Sequence, residues 1–439
     1  MMPGEAAPNG TGGGAVSHGE QRVPVEKRRV VVTGVGVIAP NGVGTDLFWE
    51  ATVGGRSGIK ALSTFDASDL TSRIAGEIRD FDVEVHLPPN AGRRLDRFAQ
   101  LGLAASYMAV ADSAGALEGL SPGRAGCIMG TGMGGVMFHE QQFQVMRDVG
   151  VHRINPFSVP RITGNAVTGH IAMHHGLTGA NLTISTACAS GSHAVGEALR
   201  KVQYGEADVM LAGGAEAPLT PGTVGGFCVM RALSLRNDEP ETACRPFDAT
   251  RDGFVIAEGG AVLVLEELER ARARGACPYA EIVGYGLTSG AYDMVRPDPS
   301  GQDAAAAITL ALHDAQLAPG DISYINAHGT GTAPNDIAET LAIKLALGEH
   351  AQTTPISSTK SCLGHAIGAA GAIEAAVCCL AIRDGVIPPT INHHEPDPAC
   401  DLDYVPNIAR PAEVNAALSN SFGFGSVNAC VAFRRYVAG

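Results

Sequence analysis

Apolar and polar positions along the chain follow two alternating periods. Arg28-Arg29-Val30-Val31-Val32-Thr33-Gly34 opens on a β-branched run halted by glycine, the pattern of a buried strand. Short runs of the same kind recur at residues 126–130, 181–185, 208–212 and 260–266. Between them, residues 98–114 and 190–202 are Ala-rich and space their apolar positions as a helix does. Strands alternating with helices predict a layered α/β architecture. Residues 375–382 form another apolar helical stretch. It carries the adjacent Cys378 and Cys379, which read as core thiols.

The strand Val30-Val31-Val32-Thr33-Gly34-Val35-Gly36 has an echo about 250 residues later, Ala280-Glu281-Ile282-Val283-Gly284-Tyr285-Gly286. Each ends in Gly-x-Gly, and a glycine-rich strand-to-helix region follows in each half. The echo divides the chain into an N-terminal half, 28–278, and a C-terminal half, 279–439. Gly34-Val35-Gly36 is also a loose match to a dinucleotide fingerprint. That fingerprint needs a helix to open at once, whereas Pro40-Asn41-Gly42 reads as a turn, so nicotinamide binding is set aside. Residues 130–135 are glycine-rich but lack the Lys-Ser/Thr of a P-loop.

Composition narrows the classes. The chain has 439 residues, 45% hydrophobic and 17% charged, with 56 glycines, a globular profile rich in tight turns. The net charge of −14 argues against general binding of nucleic acid or anionic membranes, though a local basic patch for an acidic partner stays open. Ten scattered cysteines without paired CxxC spacing suit a reducing compartment. No apolar run reaches the roughly 18 residues of a membrane span. Residues 1–27 lack the apolar segment of a signal peptide and read as a disordered tail, so a cytoplasmic location is expected.

The chemistry concentrates in three segments. In Ser185-Thr186-Ala187-Cys188-Ala189-Ser190-Gly191-Ser192 an apolar strand runs through small residues into a helix. Cys188 then sits near a helix N-terminus, where free N–H groups and the dipole favour a thiolate. The same spacing fits a cysteine packed in a tight turn equally well. Asn326-Ala327-His328-Gly329-Thr330-Gly331-Thr332 places a histidine in a glycine turn after a strand. Ser358-Thr359-Lys360-Ser361-Cys362-Leu363-Gly364-His365 brings a lysine and a second histidine. One cysteine at a helix start with two histidines at glycine-rich strand ends makes a nucleophile-and-polariser set.

These motifs resemble the condensing enzymes of fatty acid and polyketide synthesis, the elongating β-ketoacyl-[acyl carrier protein] synthases. The likeness covers nearly all of residues 28–437. It extends to Asn420-Ser421-Phe422-Gly423-Phe424-Gly425, to Arg245-Pro246-Phe247-Asp248 and to Pro388-Pro389-Thr390-Ile391-Asn392. The resemblance implies a thiolase fold, a duplicated five-layered α/β/α/β/α core. It implies that Cys188 takes up an acyl chain from an acyl carrier protein and that His328 and His365 polarise the malonyl thioester. Lys360 would support the site, paired with Glu339. Backbone N–H groups of Cys188 and Phe424 would hold the oxyanion. By the same likeness Met133 gates the acyl pocket, Phe227 flanks it, Thr330 and Thr332 meet pantetheine, and Arg231 lies on the carrier-docking face. No metal or redox cofactor is implied. A dimer is, either of identical chains or with a chain-length-factor homologue.

Some positions depart from the family pattern. Asp293 and Val295 stand in Ala291-Tyr292-Asp293-Met294-Val295 where housekeeping members carry histidine and threonine, and Ser426-Val427 replaces Gly-Thr. Ala257-Glu258-Gly259 is a further departure. These favour a specialised polyketide or polyene ketosynthase over a housekeeping fatty acid enzyme. A non-catalytic chain-length-factor-like subunit is the other class, and Cys188, His328 and His365 argue against it. A degradative thiolase would need a second catalytic cysteine, but Cys430 reads as strand core. An initiating ketosynthase would carry asparagine at His365.

Overall fold

The structure is a computed structural model that describes residues 27–437. The segment read as a tail lies outside the described residues except for Lys27, which ion-pairs with Asp314.

The N-terminal half supplies strands β1 (Val30–Ala39), β2 (Ala125–Gly130), β3 (Asn181–Ile184), β4 (Val209–Glu216) and β5 (Gly259–Glu267). The C-terminal half supplies β6 (Ala280–Ser289), β7 (Tyr324–Asn326), β8 (Ile356–Ser357), β9 (Ala416–Gly423) and β10 (Val427–Arg434). Hydrogen bonding runs in the order β8-β7-β9-β10-β6-β1-β5-β4-β2-β3. Each half therefore has the same spatial order, third-second-fourth-fifth-first. The directions also repeat. β2 is parallel to β3 and β4, while β5 is antiparallel to β4 and β1. Likewise β7 is parallel to β8 and β9, while β10 is antiparallel to β9 and β6. β1 and β6 join the halves through three antiparallel partner pairs, Val30 with Ile282 to Val32 with Ala280.

Five helices build the layers: α1 (Arg97–Asp112), α2 (Ser190–Gln203), α3 (Gln302–Ala315), α4 (Ala333–Leu347) and α5 (Ala370–Asp384). α1 covers one face of the N-terminal strands, and α3, with α4 beside it, covers the C-terminal strands. α2 and α5 pack on each other and on strands of both halves. The sequence of layers is α/β/α/β/α. Residues 370–382 of α5 are buried all round, as expected of a helix packed between the strands of the two halves, and Cys378 and Cys379 lie within it.

The Gly-x-Gly echo has a packing cause. A Cβ on Gly34 or Gly36 would lie 2.2 or 2.1 Å from the carbonyl oxygens of Ala109 or Ala105 in α1. A Cβ on Gly284 or Gly286 would lie 2.3 or 2.1 Å from those of Ala311 or Ala307 in α3. In both halves the glycines let a helix press directly on the strand. β1 runs on through this pair to Ala39, so no phosphate-binding helix start follows.

Candidate active site

The turn that carries Cys188 is held tightly. Ala187 adopts φ 50°, a left-handed conformation that costs an alanine roughly 1–2 kcal/mol. The Ser190 hydroxyl donates to the Ala187 carbonyl at 2.6 Å, and its oxygen accepts the Thr186 N–H at 2.9 Å. α2 opens at Ser190, two residues past the sulfur. The loop after β9 closes from the other side, where a Cβ on Gly423 would sit 3.0 Å from the Thr186 carbonyl oxygen. This brings the Phe424 N–H onto the Cys188 sulfur.

Cys188 Sγ and one nitrogen from each of His328 and His365 lie within 4.8 Å of one another. The two imidazoles cross nearly perpendicularly, centroids 5.3 Å apart. All three residues are buried. Nδ1 of His328 and both ring nitrogens of His365 have no hydrogen-bond partner among the described residues. Burial, joined by the Lys360 charge, holds both histidines well below their usual pKa, so both are neutral. Two neutral N–H groups can therefore face a thioester oxygen on which charge develops.

The expected thiolate is not the resting state. Burial pushes the Cys188 thiol up to about 11, against the opposing pull of Lys360 and the Phe424 N–H. Desolvation outweighs the helix terminus, whose effect fades within one turn.

The expected pairing of Lys360 with Glu339 is also corrected. Lys360 ion-pairs with Glu374 of α5. Glu339, in α4, instead accepts the N–H groups of His328 at 2.8 Å and Gly329 at 2.7 Å. It anchors the histidine turn through its backbone. Asp336, one turn earlier, accepts from Thr330 N at 3.1 Å and Gly331 N at 3.3 Å.

A cavity of about 570 Å³ opens onto Cys188, His328 and His365. Met133, Phe227, Phe424, Thr330, Thr332 and Arg231 all line it. Met133 is 39% exposed rather than packed in the core. Phe227 stands edge-on to Phe254 at 5.4 Å, and Phe254 in turn to His365 at 5.5 Å. The Thr330 and Thr332 hydroxyls bond each other at 2.9 Å. Arg231, exposed with φ 56°, forms no ion pair among the described residues. Sequence reasoning missed Glu374. For Glu374 a signal existed, since it is the one acidic residue in the apolar stretch 370–382.

The fold and site define a thiol acyltransferase of the thiolase-fold class. Two family models match: "Beta-ketoacyl synthase, N-terminal domain" over residues 27–271 and "Beta-ketoacyl synthase, C-terminal domain" over residues 279–394. The chain belongs to the β-ketoacyl synthase family, and it is an acyl-transferring condensing enzyme. It is 48% identical over 412 residues to a 3-oxoacyl-[acyl-carrier-protein] synthase 2 of Synechocystis sp., covering 94% of this chain and 99% of that one. The solved structure of the ishigamide ketosynthase/chain length factor superposes with a TM-score of 0.88 at 36% identity, covering 94% of this chain and 100% of that one. A ketosynthase structure described as a type II PKS acyl-carrier protein in complex with its ketosynthase bound to the hexaketide gives a TM-score of 0.84 at 36% identity. The coverage is again 94% and 100%.

Proposed function

We propose that the chain joins a Cys188-bound acyl group to malonyl-[acyl carrier protein] by decarboxylative Claisen condensation. The convergence of Cys188, His328 and His365 within 4.8 Å carries this reading. In the first half-reaction the Cys188 sulfur attacks the acyl thioester. The carrier's pantetheine thiol leaves with the proton that Cys188 gives up. The N–H groups of Cys188 and Phe424 hold the tetrahedral oxyanion. In the second, malonyl-carrier enters and CO₂ departs. His328 and His365 donate to the thioester oxygen of the resulting enolate. Its carbon attacks the acyl-Cys188 carbonyl, the C–S bond breaks, and β-ketoacyl-carrier leaves while the sulfur takes up one proton from solvent.

No metal or redox cofactor is needed, because the departing carboxylate supplies the electron pair. Sulfur and two imidazoles could in principle hold a soft cation, but the buried Lys360 charge beside them works against a dication. Pantetheine would pass Thr330 and Thr332, and the acidic carrier would dock by Arg231. The chain would work in the cytoplasm as a dimer, of itself or with a chain-length-factor homologue. The repeated topology supports a division near residue 278.

We place specialised polyketide or polyene extension first. Two of the departures from the housekeeping pattern, at Asp293 and Ser426, support it, because they meet in space. Ser426 accepts the Tyr292 and Asp293 N–H groups at 3.3 and 3.2 Å and donates to the Asp293 carbonyl at 2.9 Å. Val295, at the cavity mouth, offers no hydroxyl to pantetheine. The 48% identity to a synthase 2 favours fatty acid elongation as the second reading. A chain-length-factor role is disfavoured by the intact trio. Intact-mass analysis with malonyl-carrier and a series of saturated, polyene and polyketone acyl-carriers tests the choice. Equal use of long saturated chains would favour the second reading. Absence of acyl-Cys188 with every carrier would remove both.

A further inference from the structure

The mechanism above leaves one buried carboxylate without a task. Glu216 ends β4 and is fully buried. It has no cationic partner among the described residues, and burial pushes its carboxyl up to about 7. Leaving such a group unpaired is costly unless hydrogen bonds satisfy it. Here four donors do so. Oε2 accepts the N–H of Gly132 at 2.5 Å and that of Gly368 at 3.0 Å. Oε1 accepts the N–H of Met133 at 3.1 Å and the hydroxyl of Thr131 at 3.1 Å.

These donors come from two walls of one cavity. Gly132 and Met133 line it from the N-terminal half, and Ile367, next to Gly368, lines it from the C-terminal half. The walls meet with backbone in close approach, since a Cβ on Gly368 would lie 2.2 Å from the Gly132 nitrogen, and the Ile367 side chain lies against Gly132. Glycines give a wall no side chain with which to fix itself, so the carboxylate does that work. The wall it fixes is strained: Ile367 is β-branched yet adopts φ 45°. His365, two residues earlier, is held separately, its N–H donating to the Val255 carbonyl at 2.7 Å.

We propose that Glu216 is a positioning residue for the acyl chain. Its carboxylate ties the Met133 wall to the Ile367 wall and thereby sets which chain lengths Cys188 accepts. The inference rests on reading the cavity as the acyl site. Because His365 has its own anchor, loosening this tie changes chain selection without changing decarboxylation.

The test compares the full-length protein with E216Q, whose amide replaces one acceptor by a donor. A second variant, T131V, removes a single hydroxyl and preserves the fold if E216Q does not. Acylation of Cys188 is measured as kcat/KM over acyl-carriers of graded length, and malonyl-carrier decarboxylation is measured separately. In E216Q the ratio of long-chain to short-chain acylation changes by about tenfold or more, the scale of a resized apolar pocket. T131V shifts the ratio in the same direction by less, and decarboxylation stays within about twofold in both. An unchanged ratio in both variants overturns the inference. So does an equal loss at every length accompanied by lost decarboxylation. If the wild-type protein acylates Cys188 without regard to length, or not at all, the reading of the cavity fails and the inference with it.

Discussion

Lys360 and Glu374 form an ion pair in the interior, 14 residues apart in sequence and both about 2% exposed at the side chain. Burial pushes the Glu374 carboxyl up to about 7, and the Lys360 charge opposes that rise. The pair sets the local field, since the same ammonium disfavours protonation of His328 and His365 and favours ionisation of Cys188. Removing one member strands the other charge. K360M and E374L should each destabilise the fold by about 3–5 kcal/mol, while K360M/E374L should cost less than the two together. Urea unfolding of the four proteins checks this. Additive losses would mean that the pair is not coupled.

The two half-reactions should separate genetically. His365 faces the site through ring nitrogens without protein partners among the described residues, whereas the acyl transfer proposed above draws on the Cys188 sulfur and the Phe424 N–H beside it. H365A should slow malonyl-carrier decarboxylation by roughly a hundred- to a thousandfold, the worth of one oxyanion donor. Acylation of Cys188, followed by intact mass, should remain within about threefold, since no donor to that oxyanion is removed. Equal loss of both activities would contradict this division.

The convergence of Cys188, His328 and His365 was legible in the sequence because each member stands in a short glycine-rich segment at a strand end. Chemistry and local structure are read there from the same few residues. The partner of Lys360 was not. Glu339 and Glu374 both sit in Ala-rich helices, and only the packing of α5 against the strands of both halves decides between them. The protonation of Cys188 was misread for a related reason. A helix start is visible in sequence, but the depth of burial that overrides it is a property of the folded chain. The Gly-x-Gly echo was visible as a repeat. Its cause, a helix lying against each strand, appears only in three dimensions.

Thiol reactivity should carry the mark of that burial. With Cys188 held near 11 and both histidines neutral, the thiolate fraction of the free enzyme grows about tenfold per pH unit through neutrality. Alkylation of Cys188 by iodoacetamide, followed from pH 6 to about 9.5, should rise over the whole range without a plateau. K360M should lower the rate at every pH, because it removes the charge that favours the anion. A plateau near pH 7 would instead reveal a preformed thiolate–imidazolium pair.

The duplicated contact of helix on strand makes the last prediction, because the two halves test each other. Gly36 of β1 faces α1, and Gly286 of β6 faces α3, in matching registers. A methyl at either position would need a carbonyl oxygen to retreat from 2.1 Å. Backbone cannot yield as a flexible side chain does, so the strand and helix must separate. Such overpacking costs about 1–3 kcal/mol or more. G36A and G286A should therefore lower the urea midpoint by similar amounts with the m-value unchanged. Gly226, a helical position with open space where its Cβ would be, supplies the control: G226A should leave the stability unchanged or raise it by up to about 1 kcal/mol. If G286A were as harmless as G226A, close helix approach would not be what requires glycine in the second half.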